Sequence, residues 1–224
     1  MSELRLVVFD VDGTLVDSQA DILRSMNVAF QSVGLPNPDR DAVLGIVGLS
    51  LDVAMARLVP DAAVELRDQM VQAYKDSYML HREQAGTVNS SPLYPGAIDT
   101  LSQLNSDDHM ILGVATGKSR RGLDKLLQGH GLEQMFVTQQ VADHHPSKPH
   151  PSMLLTAMQE TGASAQASAM VGDTSFDMEM ARAAGMAAIG VSWGYHDRSA
   201  LVAADIVIDR FEDLQAALLD VWGI

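Results

Sequence analysis

The 224-residue chain contains no cysteine. Disulfide bonds and thiolate metal sites are therefore excluded, which is compatible with a reducing compartment. The first residues lack the charged segment and following apolar segment of a secretion signal. No uninterrupted apolar run approaches the length of a membrane span. We therefore expect a soluble, cytoplasmic protein with no membrane partner.

Basic residues are also scarce. The chain has 15 Lys and Arg against 29 Asp and Glu, for a formal net charge of -14. This balance argues against nucleic acid as a partner, because nucleic-acid binding needs a basic surface. An anionic substrate would need a bound metal or locally concentrated positive charge. The length and the 47% hydrophobic composition allow one good core and a small second one.

Two aspartates follow the first strand-like stretch of the chain. Residues 4–8 read Leu-Arg-Leu-Val-Val and predict a short buried strand. Asp10 and Asp12 can point to the same side at the end of that strand, and Gly13 allows a turn. A turn with solvated carboxylates is an alternative interpretation. Two mutually repelling carboxylates nevertheless favour a site that uses a cation or carries out a reaction.

Residues 16–84 have helical periodicity and no strand pattern. Ser18 and Asp21 predict a capping box at the first helix, Ser50 predicts the cap of another, and Asp61 predicts the start of a long one. The small, polar stretch 86–92 is typical of a linker.

Helix and strand patterns alternate after the linker. Pro95 is predicted at the first position of a helix, and strands are predicted at 110–115, 169–171, 187–191 and 205–208. This alternation predicts an α/β fold, a doubly wound parallel sheet of Rossmann-like type. We expect residues 1–15 and 93–224 to form this core domain. Residues 16–92, including linkers, would form an inserted α-helical cap domain.

The remaining candidate residues follow predicted strands, where ligands bind in open α/β sheets. Thr116 and Gly117 suit a phosphate group near a helix N-terminus, although a helix cap is an alternative. Asp173 and Asp177 could approach one another or simply favour a helix dipole. Lys148 alone suggests a solvated loop lysine. Taken together, the carboxylates favour a hard cation, and Mg²⁺ is the usual choice where a phosphate completes its ligand shell.

The order of these motifs resembles the haloacid dehalogenase-like hydrolase superfamily. The motifs are, in order, Asp10-Val11-Asp12-Gly13-Thr14, then Thr116-Gly117, then Lys148, then Gly172-Asp173 with Asp177. Residues 9–18, 93–96, 148–151 and 191–195 are most similar to phosphoglycolate phosphatase-like enzymes.

The resemblance implies a Mg²⁺-dependent phosphatase that acts on a small phosphorylated metabolite through an aspartyl-phosphate. Asp10 would be the nucleophile, and Asp12 would transfer the proton. Asp10, the backbone carbonyl of Asp12 and Asp173 would hold the metal, and Asp177 would support its shell. Thr116, Gly117 and Lys148 would bind and neutralise the phosphoryl group.

Other activities share parts of this pattern. A phosphosugar mutase or a pyrophosphatase of the same fold remains an alternative. A dehalogenase would lack the second aspartate, and a phosphonate-cleaving relative would need a cap lysine, for which only Lys75 is available. A phospho-aspartate signalling receiver, which belongs to a different class, would lack the helical insertion.

The cap is expected to select the substrate. Gly45, Gly48, Leu49 and Ser50 form a small-residue loop that would close over the site. Arg24, Arg40 and Arg57 are candidates for binding a second anionic group, with surface ion pairs as the alternative. We expect a solvated loop around His144, His145 and His150, and core or rim positions for Trp193 and Tyr195. The sequence leaves the physiological substrate and the oligomeric state open.

Overall fold

A computed structural model describes residues 4–224. The expectation that no leader segment is present falls partly on residues 1–3, which lie outside the described residues. The strands are β1 Arg5–Phe9, β2 Met110–Thr116, β3 Thr138–Val141, β4 Ser168–Gly172, β5 Ala187–Val191 and β6 Ile206–Ile208. They form one parallel sheet in the order β3-β2-β1-β4-β5-β6. The predicted α/β fold with a parallel sheet is confirmed.

The α-helices are α1 Gln19–Ser32, α2 Arg40–Leu44, α3 Leu51–Leu58, α4 Val64–Ala85, α5 Thr87–Ser90, α6 Ala97–Asn105, α7 Arg120–His130, α8 Ser152–Thr161, α9 Ser175–Ala184 and α10 Leu214–Trp222. Short 3₁₀ turns lie at Ala142–His144, Ala165–Ala167, Arg198–Ala200 and Phe211–Asp213. Within residues 4–224, none of the helices combines the length and the apolar character needed to cross a bilayer.

The central strand β1 is buried on both faces. Val7 and Phe9 pack in one hydrophobic cluster, while Leu6 and Val8 pack in another on the opposite face. This alternation follows from the two-residue period of a strand. Val7 pairs with both Leu112 of β2 and Ala169 of β4. The carboxyl ends of these three strands therefore meet at one edge of the sheet.

Helices α1 to α4 contribute to a separate hydrophobic cluster, which includes Ile22, Met26, Phe30 and Met70. The insertion leaves and rejoins the core at one place, because Val16 forms an antiparallel bridge with Leu93. Separate packing and adjacent connections support our proposal of a core of residues 1–15 and 93–224 with a cap of residues 16–92.

Several local predictions were wrong. Ser18 precedes α1, but its side chain makes no capping bond and donates to Asp12 instead. Ser50 precedes α3 without a side-chain cap. Pro95 lies before the cap residue of α6, and the predicted linker contains α5.

Strand β3 was not predicted, because its sequence Thr-Gln-Gln-Val is mostly polar. Its side chains are satisfied by a hydrogen-bond network, in which Gln140 and Thr138 donate to Glu160 at 2.8 and 2.6 Å. Polar groups can occupy a buried strand when they are paired in this way.

Candidate active site

Asp10 follows β1 and is only 1% exposed. Lys148 Nζ lies 2.9 Å from Asp10 Oδ1, and Oδ2 has no hydrogen-bond partner among the described residues. Burial raises the pKa of Asp10 to about 7, although the charge of Lys148 opposes that rise. A buried carboxylate with free lone pairs is unusual in a protein interior and indicates a reactive or ligand-binding group.

Lys148 is buried rather than solvated, so its interpretation as a loop lysine was wrong. Its Nζ donates to Asp177 Oδ1 at 2.6 Å and also faces Asp10. Burial alone would lower the pKa of Lys148, but the two carboxylates outweigh that effect and raise it. Lys148 therefore carries a positive charge between the first and fourth motifs.

The fourth motif lies at the junction of β4 and α9. Thr174 caps α9 and forms a capping box with Asp177, whose Oδ2 accepts hydrogen bonds from Thr174 N at 3.1 Å and Oγ1 at 2.7 Å. Asp173 accepts hydrogen bonds from Thr14 Oγ1 at 3.0 Å and from Tyr195 N at 2.8 Å. These bonds hold both carboxylates in fixed orientations.

Two glycines allow the backbone to approach Asp173. Gly13 has a φ of +82°, and a Cβ atom there would lie 2.2 Å from Asp173 Oδ2. A Cβ atom at Gly194 would lie 2.1 Å from Asp173 Cβ. Neither position can hold a larger residue without moving the carboxylate.

The carboxylates of Asp10, Asp173 and Asp177 offer ligand atoms that all lie within 4.8 Å of one another. Burial, followed by the charges of Asp10 and Asp177, raises the pKa of Asp173 well above its usual value. An oxygen-only donor set with the unpartnered Asp10 Oδ2 fits a hard divalent cation such as Mg²⁺. The Asp12 carboxylate is not part of this cluster. Binding of the metal by the Asp12 backbone carbonyl stays a prediction.

Asp12 is held by a lysine that was not predicted as a site residue. Lys118 Nζ lies 2.8 Å from Asp12 Oδ1 and donates to the Tyr78 hydroxyl at 3.2 Å. Ser18 Oγ also donates to Asp12 Oδ1. Burial would lower the pKa of Lys118, but Asp12 and Tyr78 raise it. The position of Lys118 directly after Thr116-Gly117 is the sequence feature that could have identified it as a site residue.

Thr116 ends β2 and is buried. It does not cap the following helix, because that bond is made by Ser119, whose side chain accepts from Gly122 N. Thr116 Oγ1 instead accepts from Lys118 N at 3.2 Å. The helix-cap alternative for Thr116 is therefore wrong.

Gly117 contacts the cap loop. A Cβ atom at Gly117 would lie 2.5 Å from the carbonyl oxygen of Leu49 and 2.7 Å from that of Gly48. Ser50 N donates to Ser147 Oγ at 2.9 Å. The loop therefore lies against the core, and Gly48, Leu49 and Ser50 line a cavity of about 580 Å³ together with Asp10 and Asp12. Gly45 does not line it.

Gly48→Val is expected to lower kcat/KM at least about tenfold, since displacement of a positioning loop by about 1 Å can cost as much as a hundredfold. Gly48 has a φ of +96°, and a Cβ atom there would lie 3.3 Å from Thr174 Oγ1. Gly34→Val is the control, because Gly34 has a φ of +72° and no atom within 4 Å of such a Cβ. Equal kcat/KM values for the two variants would contradict the role of the loop.

The structure does not bring the candidate cap arginines into the cavity. Arg24 is exposed, Arg40 pairs with Asp41, and Arg57 lies over the Phe176 ring at 5.0 Å. The cationic side chains that line the cavity are Lys75, Arg82, Lys118 and Arg121.

The histidine-rich loop is only partly solvated. His144 and His150 are exposed, but His145 hydrogen bonds to Ser152 Oγ and Gln140 Oε1, both at 2.9 Å.

Trp193 packs against the core cluster, and its Nε1 donates to the Thr14 carbonyl at 3.1 Å. The Tyr195 hydroxyl accepts from Ser18 N at 2.9 Å, so Tyr195 lies beside the Asp12 network.

A parallel α/β sheet with a buried aspartate cluster at its carboxyl edge and an inserted group of helices has the arrangement of an open α/β fold that binds a ligand at its strand ends. Residues 7–191 match the family described as haloacid dehalogenase-like hydrolase, and the chain belongs to that family. The resemblance drawn from the four motifs is confirmed.

Relatives of known description support the same class. The chain is 38% identical to "Probable phosphatase IndB" of Dickeya dadantii, over 95% of this chain and 92% of the relative. It is 30% identical to a phosphoglycolate phosphatase of Pasteurella multocida, over 97% of this chain and 100% of the relative. The prediction of an enzyme of the phosphatase class is confirmed.

The fold is also similar to that of a mutase. A crystal structure of β-phosphoglucomutase from Clostridium difficile superposes with a TM-score of 0.84, covering 98% of this chain and 97% of the mutase at 18% identity. At this identity the similarity concerns the fold alone.

Proposed function

We propose that the protein is a Mg²⁺-dependent phosphatase that hydrolyses a small phosphorylated metabolite through an aspartyl-phosphate. The observation that carries this proposal is Asp10, a buried carboxylate with an unpartnered oxygen beside Lys148. The names of the relatives make phosphoglycolate the first phosphomonoester to test.

In the first step, an Asp10 oxygen attacks phosphorus, and the bond between phosphorus and the leaving oxygen breaks. Asp12 gives its proton to the leaving oxygen, and Lys118 and Ser18 keep the Asp12 carboxyl in position. In the second step, Asp12 takes a proton from water as the water attacks phosphorus. The phosphorus–Asp10 bond then breaks and releases inorganic phosphate.

The other residues of the proposed site hold the phosphoryl group. Lys148 neutralises negative charge beside Asp10, while Thr116 Oγ1 and the Gly117 amide serve as donors to phosphoryl oxygens. Asp10, Asp173 and the backbone carbonyl of Asp12 would hold Mg²⁺, with Asp177 supporting the shell. When bound, the cation supplies positive charge that stabilises the transferring phosphoryl group.

The direct test is to measure phosphate release from phosphoglycolate, sugar phosphates, nucleotides and pyrophosphate, with Mg²⁺ and with EDTA. Sustained Mg²⁺-dependent release supports the phosphatase. Isomerised sugar phosphate without net phosphate release would favour the alternative of a phosphosugar mutase. Stoichiometric labelling without turnover would contradict both.

Removal of the metal is expected to reduce phosphate release to background, and Mg²⁺ is expected to restore it. Asp173→Asn should raise the Mg²⁺ concentration for half-maximal activity at least about tenfold, because a carboxylate ligand becomes a neutral amide. Glu179→Gln is a matched control, since Glu179 is an exposed acid on α9, which follows Asp173. An unchanged Mg²⁺ dependence in Asp173→Asn would contradict the metal assignment.

A further inference from the structure

The cap and the core touch on more than one side of the cavity. The loop residues Gly48 and Leu49 contact Gly117, as described above. On another side, Lys118 donates to the hydroxyl of Tyr78 on α4. The carbonyl oxygen of Ser91, at the end of the cap, lies 2.9 Å from His130 Nε2. The cavity volume given above therefore applies to an arrangement in which the cap already contacts the core.

Even in this arrangement the cavity measures about 580 Å³. Cavities of this size enclose ligands as large as typical drug molecules. A phosphoryl group placed at Asp10 and a two-carbon acid beyond it would fill only a small part of the volume. The remainder would stay in contact with water, so the site would lose most of the binding free energy that its walls could supply.

The cap supplies a group of apolar residues to the wall of the cavity. Their side chains come from the cap loop and from α3 and α4, and they include Ile46, Leu49, Val71, Tyr74, Tyr78 and Met79. Tyr74 and Tyr78 are stacked, with ring centroids 6.0 Å apart and an interplanar angle of 23°. Such a wall favours contact with an apolar or aromatic surface.

The cavity lysine that follows Thr116-Gly117 is already paired. Lys118 is paired with Asp12 at 2.8 Å and lies 5.0 Å from the centroid of the Tyr78 ring. Lys75, Arg82 and Arg121 also line the cavity. Lys75 and Arg121 are exposed to solvent, and Arg82 is half-buried and donates to the Gly122 carbonyl at 3.5 Å. Lys118 is therefore not free to bind a carboxylate of the substrate.

We propose that the natural leaving group is a bulky one with an extended apolar or aromatic surface, rather than a two-carbon acid. This inference rests on the proposed phosphatase function, and it names the class of ester that the same site accepts. Apolar area on the leaving group would be buried against the tyrosine pair and the aliphatic side chains of the cap.

The test compares ethyl, hexyl and 3-phenylpropyl phosphate with phosphoglycolate, at saturating Mg²⁺. The three simple esters all release a primary alcohol, so their intrinsic reactivities are similar and differences in kcat/KM report contacts with the cavity. We expect kcat/KM to rise on the order of threefold for each methylene that the cavity buries. We also expect 3-phenylpropyl phosphate to be hydrolysed with a higher kcat/KM than phosphoglycolate.

A flat series, or a preference for phosphoglycolate, would overturn the inference and leave the proposed phosphatase intact. Phosphate release from none of the esters would overturn the proposed function itself. The two failures are therefore distinguishable in one experiment.

A pair of neighbouring variants on α4 locates the apolar contact. Met79 lines the cavity, whereas Leu80 is 56% exposed and does not. Met79→Ala should lower the ratio of kcat/KM for hexyl phosphate to that for ethyl phosphate at least about threefold. Leu80→Ala should leave that ratio unchanged. Equal ratios in the two variants would overturn the assignment of the leaving group to this cavity.

Discussion

Asp10→Asn is expected to abolish phosphate release while the protein stays folded. An amide cannot form the acyl phosphate, and loss of a covalent nucleophile lowers kcat by at least about three orders of magnitude. The fold should tolerate the change, because burial already disfavours the ionised form of Asp10 and raises its pKa to about 7. Lys148 keeps its bond to Asp177 in the variant.

Three quantities are measured: phosphate release with Mg²⁺, the melting temperature, and the amount of protein that carries a labelled phosphoryl group from the substrate when turnover is stopped with acid. Asp17→Asn is the control, since Asp17 is an exposed acid seven residues further on. The parent and the control should trap label, and Asp10→Asn should not. Near-parental phosphate release from Asp10→Asn would contradict the assignment of the nucleophile.

Lys148→Met is expected to lose both activity and stability. The side chain is buried between two carboxylates, at 2.9 Å from Asp10 and 2.6 Å from Asp177. Removing one partner of a buried ion pair leaves uncompensated charge and costs about 3 to 5 kcal/mol of the free energy of unfolding. kcat should fall at least about a hundredfold, because the positive charge beside the transferring phosphoryl group is lost.

Chemical denaturation in EDTA measures the stability change without a contribution from bound metal. Lys125→Met is the matched control, because Lys125 is exposed on α7 and donates only to Gln128 at 3.2 Å among the described residues. A Lys148→Met protein as stable as this control would show that the buried lysine is not held by its carboxylate partners.

Asp12 illustrates a role that depends on residues from several parts of the chain. Its carboxyl group contacts Lys118 from the core and Ser18 from the start of the insertion. Lys118 in turn contacts Tyr78 on α4. We expect the position of the cap to influence the orientation of Asp12, because one network joins them.

Much of the fold could be predicted from the chain alone. The parallel sheet, the long helix α4 and the strand ends that carry Asp10, Thr116 and Asp173 follow from periodicity and turn residues, which are local signals. Strand β3 was missed because its residues are polar, and their pairing with Glu160 depends on a helix about twenty residues away.

The environment of the charged groups could not be predicted in the same way. Lys148 is surrounded by polar and proline residues in the sequence, which is typical of a solvated loop. It becomes buried because Asp10, which follows β1, and Asp177, in the first turn of α9, supply its counter-charges. Lys118 and Tyr78 are likewise 40 residues apart.

The alternation of helices and strands, the family motifs and the chemical types of the reactive groups could be predicted from the amino-acid sequence. These features depend on residues that are close together in the chain. The burial of Lys148, the pairing of Asp12 with Lys118 and the size of the apolar cavity depended on the folded structure. Each of these arises where segments distant in sequence exclude water from the same small volume.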